Sequence, residues 1–301
     1  MPVPRRAPGL GCVTGFAMDR LILHNDSIRP VSEAGLSPGQ SGLLSGWGVF
    51  TTLRLYHGQP FQFRHHWERM SRDAARLGVD LSDFREATVR DAIVRLASAN
   101  QRLEGMGRVW FVRNDGGLWS DGIERPPADL LAFTRELVPW PQSHCLLLQE
   151  NAVFSAGVLS GAKMLSWAQN ALLLERARTQ GFDDALLLNE HRELAECTSA
   201  NIFLVRDGSV FTPPLSSGCL PGVTRELLFE IGPPAGIQLQ EQTLSPDDLS
   251  GAAEVFISST TREVAAVRFV SPRWTYAAPG PVTQQLEAAF RQYVEEVVGK
   301  E

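Results

Sequence analysis

Two periodicities of apolar positions divide this 301-residue chain, a two-residue alternation and a helical repeat of about 3.6, and both occur in each half. Val49 to Tyr56 alternates, with Val49, Thr51, Leu53 and Leu55 on one face and Phe50, Thr52, Arg54 and Tyr56 on the other. This predicts a strand closed by a His57-Gly58 turn. An earlier strand is predicted at Leu21-Ile22-Leu23. From Arg64 to Leu77 the residues Trp67, Met70, Ala74 and Leu77 recur at helical spacing, and Gly78 ends the run. A second helix fits Phe84 to Ala99 through Val89, Ile93 and Leu96, and strands follow at 108–112 and 129–137.

Val138-Pro139-Trp140-Pro141-Gln142 interrupts the pattern, because two prolines two residues apart resist both helix and central strand. Beyond it the pattern predicts strands at 145–149 and 185–188, with a helix from about Met164 to Gln180 between them, closed by Gly181. Asn201–Val205 and Ser209–Thr212 flank Asp207-Gly208, a hairpin signal. Helices at 223–231 and 283–298 and strands at 254–258 and 263–267 complete the half. The expected organisation is α/β of the α+β type: an extension over 1–17, a smaller α/β domain over 18–138, a linker at 139–143 and a larger α/β domain over 144–301.

Net charge narrows the partners. At −6, with a pI near 5.6 and no Lys/Arg-rich run, the chain lacks the electrostatic source for binding a polyanion, so no nucleic-acid partner is expected. No apolar run reaches the roughly 18–20 residues that span a bilayer, so no membrane role is expected. The stretch after Arg5-Arg6 is too short and too interrupted by glycine to serve as an export signal. Cys12, Cys145, Cys197 and Cys219 show no CxxC pair and no metal spacing, and His65-His66 lacks ligand spacing. They read as reduced thiols of a cytoplasmic protein without a metal.

One compositional fact points to chemistry. Only two of the 28 basic side chains are lysines, Lys163 and the penultimate Lys300. Where mere positive charge is needed this chain uses arginine, which cannot form an imine, whereas a desolvated lysine can lose its proton and attack a carbonyl. Pyridoxal 5′-phosphate (PLP) makes three demands that can be sought separately. The first is a lysine able to act as a base, and Lys163 meets it at the expected mouth of a helix. The second is an acid for the pyridine nitrogen, met by Glu196 in a stretch of small residues placed between two predicted strands. The third is a phosphate cradle. Leu220-Pro221-Gly222-Val223-Thr224-Arg225 opens a helix, Ser258-Ser259-Thr260-Thr261 ends a strand, and Arg69 lies on the helix of the first half. Taken singly, each is an ordinary turn, loop or surface residue.

In order along the chain, these segments resemble the class IV aminotransferases, PLP enzymes of fold type IV. The resemblance runs from about Met18 to Val267. It rests on Gly46-Trp47-Gly48-Val49-Phe50, His65-His66-Trp67-Glu68-Arg69, Lys163, Glu196 through Asn201-Ile202-Phe203, Thr212-Pro213-Pro214-Leu215, Leu220 to Arg225, and Glu254-Val255-Phe256 leading to Thr260. It implies a two-domain fold with PLP held between the domains, a homodimer, and a ping-pong exchange of an amino group between an amino donor and a keto acid. It also implies that Lys163 carries the internal aldimine and shuttles the proton, that Glu196 partners the pyridine nitrogen, and that Arg69, Gly222, Val223, Thr224, Ser259 and Thr260 hold the phosphate. Leu220 would lie against the ring, with Ser199 nearby.

Departures from the family pattern bear on the substrate. Gly46-Trp47-Gly48 stands where relatives carry Gly-Asp-Gly, and Phe50-Thr51-Thr52 where many transaminases follow the aromatic with glutamate. Phe-Thr-Thr and Glu196-Cys197 look more like the aminodeoxychorismate lyases of the same family, which release 4-aminobenzoate and pyruvate by β-elimination. The Arg-x-His carboxylate pair of D-amino-acid aminotransferases is not visible after Arg113. Phe50 and Thr52 are expected near the substrate, with Arg54, Arg108 and Arg113 as candidates for a carboxylate clamp and Trp47, Trp119 and Trp167 as candidate pocket walls. Ser160-Gly161-Ala162-Lys163 matches the Ser-x-x-Lys of penicillin-recognising enzymes, but their Ser-Asp-Asn and Lys-Thr-Gly are missing.

Overall fold

A computed structural model of the chain describes residues 17–114 and 122–299. Cys12, Trp119, Lys300 and the extension over 1–16 lie outside the described residues. The contacts divide the chain into two units, which change over at Val138/Pro139. Ala162–Trp167, expected in the larger domain, clusters instead with the N-terminal unit, whereas Pro139–Gly161 and the chain from Ala168 onward form the C-terminal unit.

The N-terminal unit is built on strands β1 (Leu21–His24), β2 (Ser27–Pro30), β3 (Gly48–Tyr56), β4 (Gln59–Pro60), β5 (Gly105–Arg113) and β6 (Ala128–Arg135), with helices α1 (Ser41–Ser45), α2 (Phe63–Leu77) and α3 (Glu86–Ala99). Its six-stranded sheet runs β2-β1-β6-β5-β3-β4, antiparallel throughout. The alternation read in 49–56 is real: Val49, Thr51, Leu53 and Leu55 are fully buried. Met70, Ala74 and Leu77 of α2 and Val89, Ile93 and Leu96 of α3 are buried as well. Each large side chain taken from water contributes about 1.5–3 kcal/mol.

The C-terminal unit contains β7 (Ser143–Val153), α4 (Ala168–Thr179), β8 (Asp184–Asn189), β9 (Leu194–Cys197), β10 (Asn201–Arg206), β11 (Ser209–Thr212), α5 (Val223–Ile231), β12 (Leu239–Glu241), α6 (Asp248–Gly251), β13 (Glu254–Ser259), β14 (Glu263–Val270), β15 (Trp274–Thr275) and α7 (Pro281–Val298). Its strands follow the order β12-β11-β10-β13-β14-β7-β8-β9, with β15 paired to β14. The sheet is mixed, since β7 pairs in parallel with both β14 and β8. The Asp207-Gly208 hairpin forms as expected, both residues taking positive φ between β10 and β11. Leu146, Leu186, Leu188, Ile202, Leu204, Val255, Ile257 and Val267 make the core on one face, and α7 packs on β13 and β14. The N-terminus of α7 is capped by Glu254, whose carboxylate accepts from Val282 N–H at 2.9 Å and from the Thr283 N–H and hydroxyl at 2.8 and 2.7 Å.

Candidate active site

Lys163 does not sit at a helix start. It lies in an extended segment against the first residues of β3: its N–H donates to Asp73 Oδ2 at 3.0 Å and its carbonyl accepts from Phe50 N–H at 3.1 Å. Met164 bridges Val49, and Leu165 N–H donates to Gly48 O at 2.9 Å. Any Cβ at Gly48 would overlap Phe111 O and the Leu165 side chain, so glycine there allows the segment to approach. These bonds correct the expected helix from Met164, which begins only at Ala168. The Lys163 Nζ stands 4.6 Å from the centre of the Phe50 ring.

Beside it α2 presents His66, Arg69 and Asp73, which are 1%, 6% and 0% exposed and share one helical face by their spacing of three and four. Asp73 accepts from Arg72 at 2.9 Å as well as from Lys163 N–H. Arg69 Nη2 donates to Thr51 Oγ1 at 2.8 Å, and the same hydroxyl is hydrogen-bonded to His66 Nδ1, 2.7 Å away. Burial, then the charges of Arg69 and Lys163, push the His66 pKa well below the usual imidazole range.

The three arginines considered for a carboxylate clamp have different surroundings. Arg54 donates to Leu55 O and Gly105 O and pairs with Glu104 at 3.2 Å, so its charge is already neutralised. Arg113 stacks on the Trp47 ring at 4.1 Å. Arg108 stacks on Phe50, its Cζ 4.0 Å from the ring centre. Register pairs Phe50 with Trp110 and Thr52 with Arg108, so these four share a sheet face.

In the C-terminal unit Glu196, expected between two strands, is itself on a short strand, β9, opposite Leu187. Its Oε2 accepts from Leu220 N–H at 3.1 Å, while Asn201 Nδ2 donates to Leu220 O at 2.9 Å. These bonds tie Glu196 and Leu220 to the start of α5. Gly222 is the N-cap residue and brings no side-chain cap, and a Cβ on it would overlap Asn201 Oδ1. Among the described residues nothing accepts from the N–H groups of Val223 and Thr224, although both residues are buried. Unsatisfied buried donors at a helix start fit an anion such as a phosphate. Ser259 ends β13, and its Oγ accepts from Arg262 N–H at 3.2 Å; Thr260 follows in the turn.

Sequence reasoning missed the Asp184–Arg262 pair. Both are buried, 3.1 Å apart, and Arg262 also lies over the Trp140 ring at 4.1 Å. Asp184 accepts from the hydroxyls of Thr198 and of Ser199, the latter at 2.7 Å, and Arg262 Nη1 donates to Ser199 Oγ at 2.9 Å. With its hydroxyl proton engaged, Ser199 can meet a ligand only as an acceptor.

A sequence profile described as amino-transferase class IV matches residues 48–270. The chain belongs to the class IV aminotransferases. It is thus an enzyme of a PLP-dependent family that contains transaminases and lyases. Like its relatives in this family it has the expected mixed α/β fold. It is 25% identical over 286 residues to a D-alanine aminotransferase of Bacillus licheniformis, covering 91% of this chain and 96% of that one. Over 266 residues it is 29% identical to a branched-chain-amino-acid aminotransferase of Salmonella typhimurium, covering 81% and 83%. Among solved structures, the branched-chain amino acid aminotransferase of Escherichia coli matches with a TM-score of 0.82 at 26% identity, over 91% of this chain and 94% of that one.

Proposed function

We propose that this class IV aminotransferase moves an amino group from an amino acid or amine to a 2-keto acid by a ping-pong mechanism, with Lys163 as the residue that binds PLP covalently. The supporting observation is the setting of Lys163, the one lysine among the described residues, held by backbone bonds to β3 and Asp73 inside the family match. When bound, PLP supplies an aldehyde that condenses with amines and a ring that withdraws electrons from the adjoining carbon.

The chain's own groups do the rest. Lys163 Nζ would be the amine that holds the cofactor, and as a free base it would take a proton from the substrate Cα and give it back. Glu196 keeps the pyridine nitrogen protonated. The bare N–H groups of Val223 and Thr224, the approach allowed by Gly222, the Arg69 guanidinium, and Ser259 and Thr260 hold the phosphate, with Leu220 against the ring and Ser199 nearby. Phe50 and Thr52 face the substrate. The same reading makes the protein a cytoplasmic homodimer, in keeping with Cys145, Cys197 and Cys219 being free, buried thiols.

The test is borohydride reduction of the purified protein followed by peptide mass spectrometry. The expected result is the cofactor's mass on Lys163, and its absence there overturns the proposal. Amino acids and amines are then screened singly for conversion of the bound cofactor to its amine form. Aminodeoxychorismate lyase is the second reading, favoured by Thr51 at the position where many transaminases carry glutamate. Release of pyruvate from aminodeoxychorismate, with no single donor converting the cofactor, would establish it.

A further inference from the structure

Neither Asp184 nor Arg262 has a role in the function proposed above. Arg206 and Arg225 of the same unit meet acids whose side chains are 22% and 44% exposed, whereas Arg262 and Asp184 are 2% and 0% exposed. Taking two charges out of water costs about as much as their attraction returns, so a well-packed apolar pair of similar volume often holds a fold as well. What an ion pair adds is direction, since guanidinium and carboxylate meet their partners along set lines.

Those partners lie on two segments. Asp184, on β8, accepts from the Thr198 N–H at 3.2 Å, from the Thr198 hydroxyl and from Ser199 Oγ at 2.7 Å. Arg262 Nη1 donates to Ser199 O at 3.3 Å and to Ser199 Oγ at 2.9 Å, and the Arg262 N–H donates to Ser259 Oγ at 3.2 Å. The first segment is the bend at 198–200, closed by Cys197 N–H on Ala200 O at 2.7 Å and directly following the strand of Glu196. The second is the turn at 260–262, which follows Ser259 at the end of β13. The pair thus joins a bend beside the proposed partner of the pyridine nitrogen to a turn proposed to hold the phosphate. Ring nitrogen and phosphate belong to one small rigid molecule, and such constellations must be held to within about 0.5 Å.

We propose that Asp184 and Arg262 are positioning residues, which hold the bend at 198–200 and the turn at 260–262 at the separation PLP requires. This rests on the assignment of Glu196, Ser259 and Thr260 to the cofactor, but the coupling of the two segments can be measured without it.

The test compares Arg262→Met, Arg262→Lys and the double variant Asp184→Asn/Arg262→Met, which removes both charges and keeps an acceptor for Thr198. The double variant is expected to unfold within about 3 °C of the unaltered protein, and Arg262→Met alone, with the Asp184 charge left unpaired, below both. In the PLP-free double variant, amide hydrogen exchange should quicken about tenfold at 198–200 and 260–262 and stay unchanged in the centres of β8 and β13. PLP should bind about 10–30-fold more weakly in a fluorescence titration, with partial recovery in Arg262→Lys. The pH midpoint of the bound cofactor's visible absorption should move in the same direction as in Glu196→Gln, by less. PLP binding within about threefold of the unaltered protein in the double variant overturns the proposal, and so does exchange that quickens evenly throughout the C-terminal unit. If Glu196→Gln leaves the absorption midpoint in place, the assignment of Glu196 falls, while exchange and PLP affinity still decide for or against the pair.

Discussion

Around Lys163 the polar groups are side chains that hold one another: Thr51 links Arg69 to His66, and Asp73 holds both Arg72 and the Lys163 N–H. At the start of α5 they are backbone N–H groups left open by Gly222, with Glu196 and Asn201 gripping the chain just before them. The difference sets what each region tolerates. Deleting one side chain of the first leaves buried partners unsatisfied, whereas in the second the N–H groups themselves outlast changes to the side chains of Val223 and Thr224, and the region depends on Glu196, Asn201 and the absence of a side chain at Gly222.

Three perturbations would break or sharpen this contrast. The largest effect is expected from Asp73→Ala, which strips a fully buried acceptor from the Lys163 N–H and from Arg72. Stability should fall by about 3 kcal/mol in urea denaturation, and a loss under 1 kcal/mol would mean the side-chain network is not structural. Next is Gly222→Ala, expected to weaken PLP binding about 10–100-fold in a fluorescence titration, compared with less than about tenfold for Thr224→Val, which keeps its N–H. The reverse order would refute a backbone cradle.

The smallest effect near neutrality concerns the buried histidines. His144, with no partner for either ring nitrogen among the described residues, has its pKa pushed down to about 3 by burial and then by the charges of Arg262 and Arg268. The unfolded chain therefore takes up this proton first. Stability is fully present above the free imidazole pKa of about 6.5 and declines as pH falls toward 3, by up to about 1.4 kcal/mol per pH unit. His66, shifted the same way, adds to the slope. His144→Gln should flatten the loss between pH 6 and 4 by about one proton, as read from denaturation midpoints, and an unchanged slope would exclude His144 as the source.

Much of the fold was legible because period and turn chemistry agreed. The alternation in 49–56, the helix ending at Gly78 and the Asp207-Gly208 hairpin all formed where local pattern placed them. The segment around Lys163 was not legible. Met164, Leu165 and Ala168 continue the apolar spacing of the helix that follows, yet hydrogen bonds to a strand more than a hundred residues earlier outweigh that local tendency. The strand that carries Glu196 was not legible either, since Leu194–Cys197 is too short for alternation to show. The polar stripe of His66, Arg69 and Asp73 could have been found. Three charged or polar residues at helical spacing beside the buried Met70 and Ala74 are a signal visible without coordinates. Asp184 and Arg262 are 78 residues apart, and nothing local announces their pairing.

The six residues Ala162–Trp167 belong by contact to the unit the chain has already left at Val138. Engineering therefore cannot treat the halves as interchangeable modules. A chimera joined at 139–143 would take its first half from one parent and the hexapeptide that completes it from another. Any transplanted N-terminal half must bring its own 162–167 along, or accept a foreign peptide laid against Gly48–Phe50.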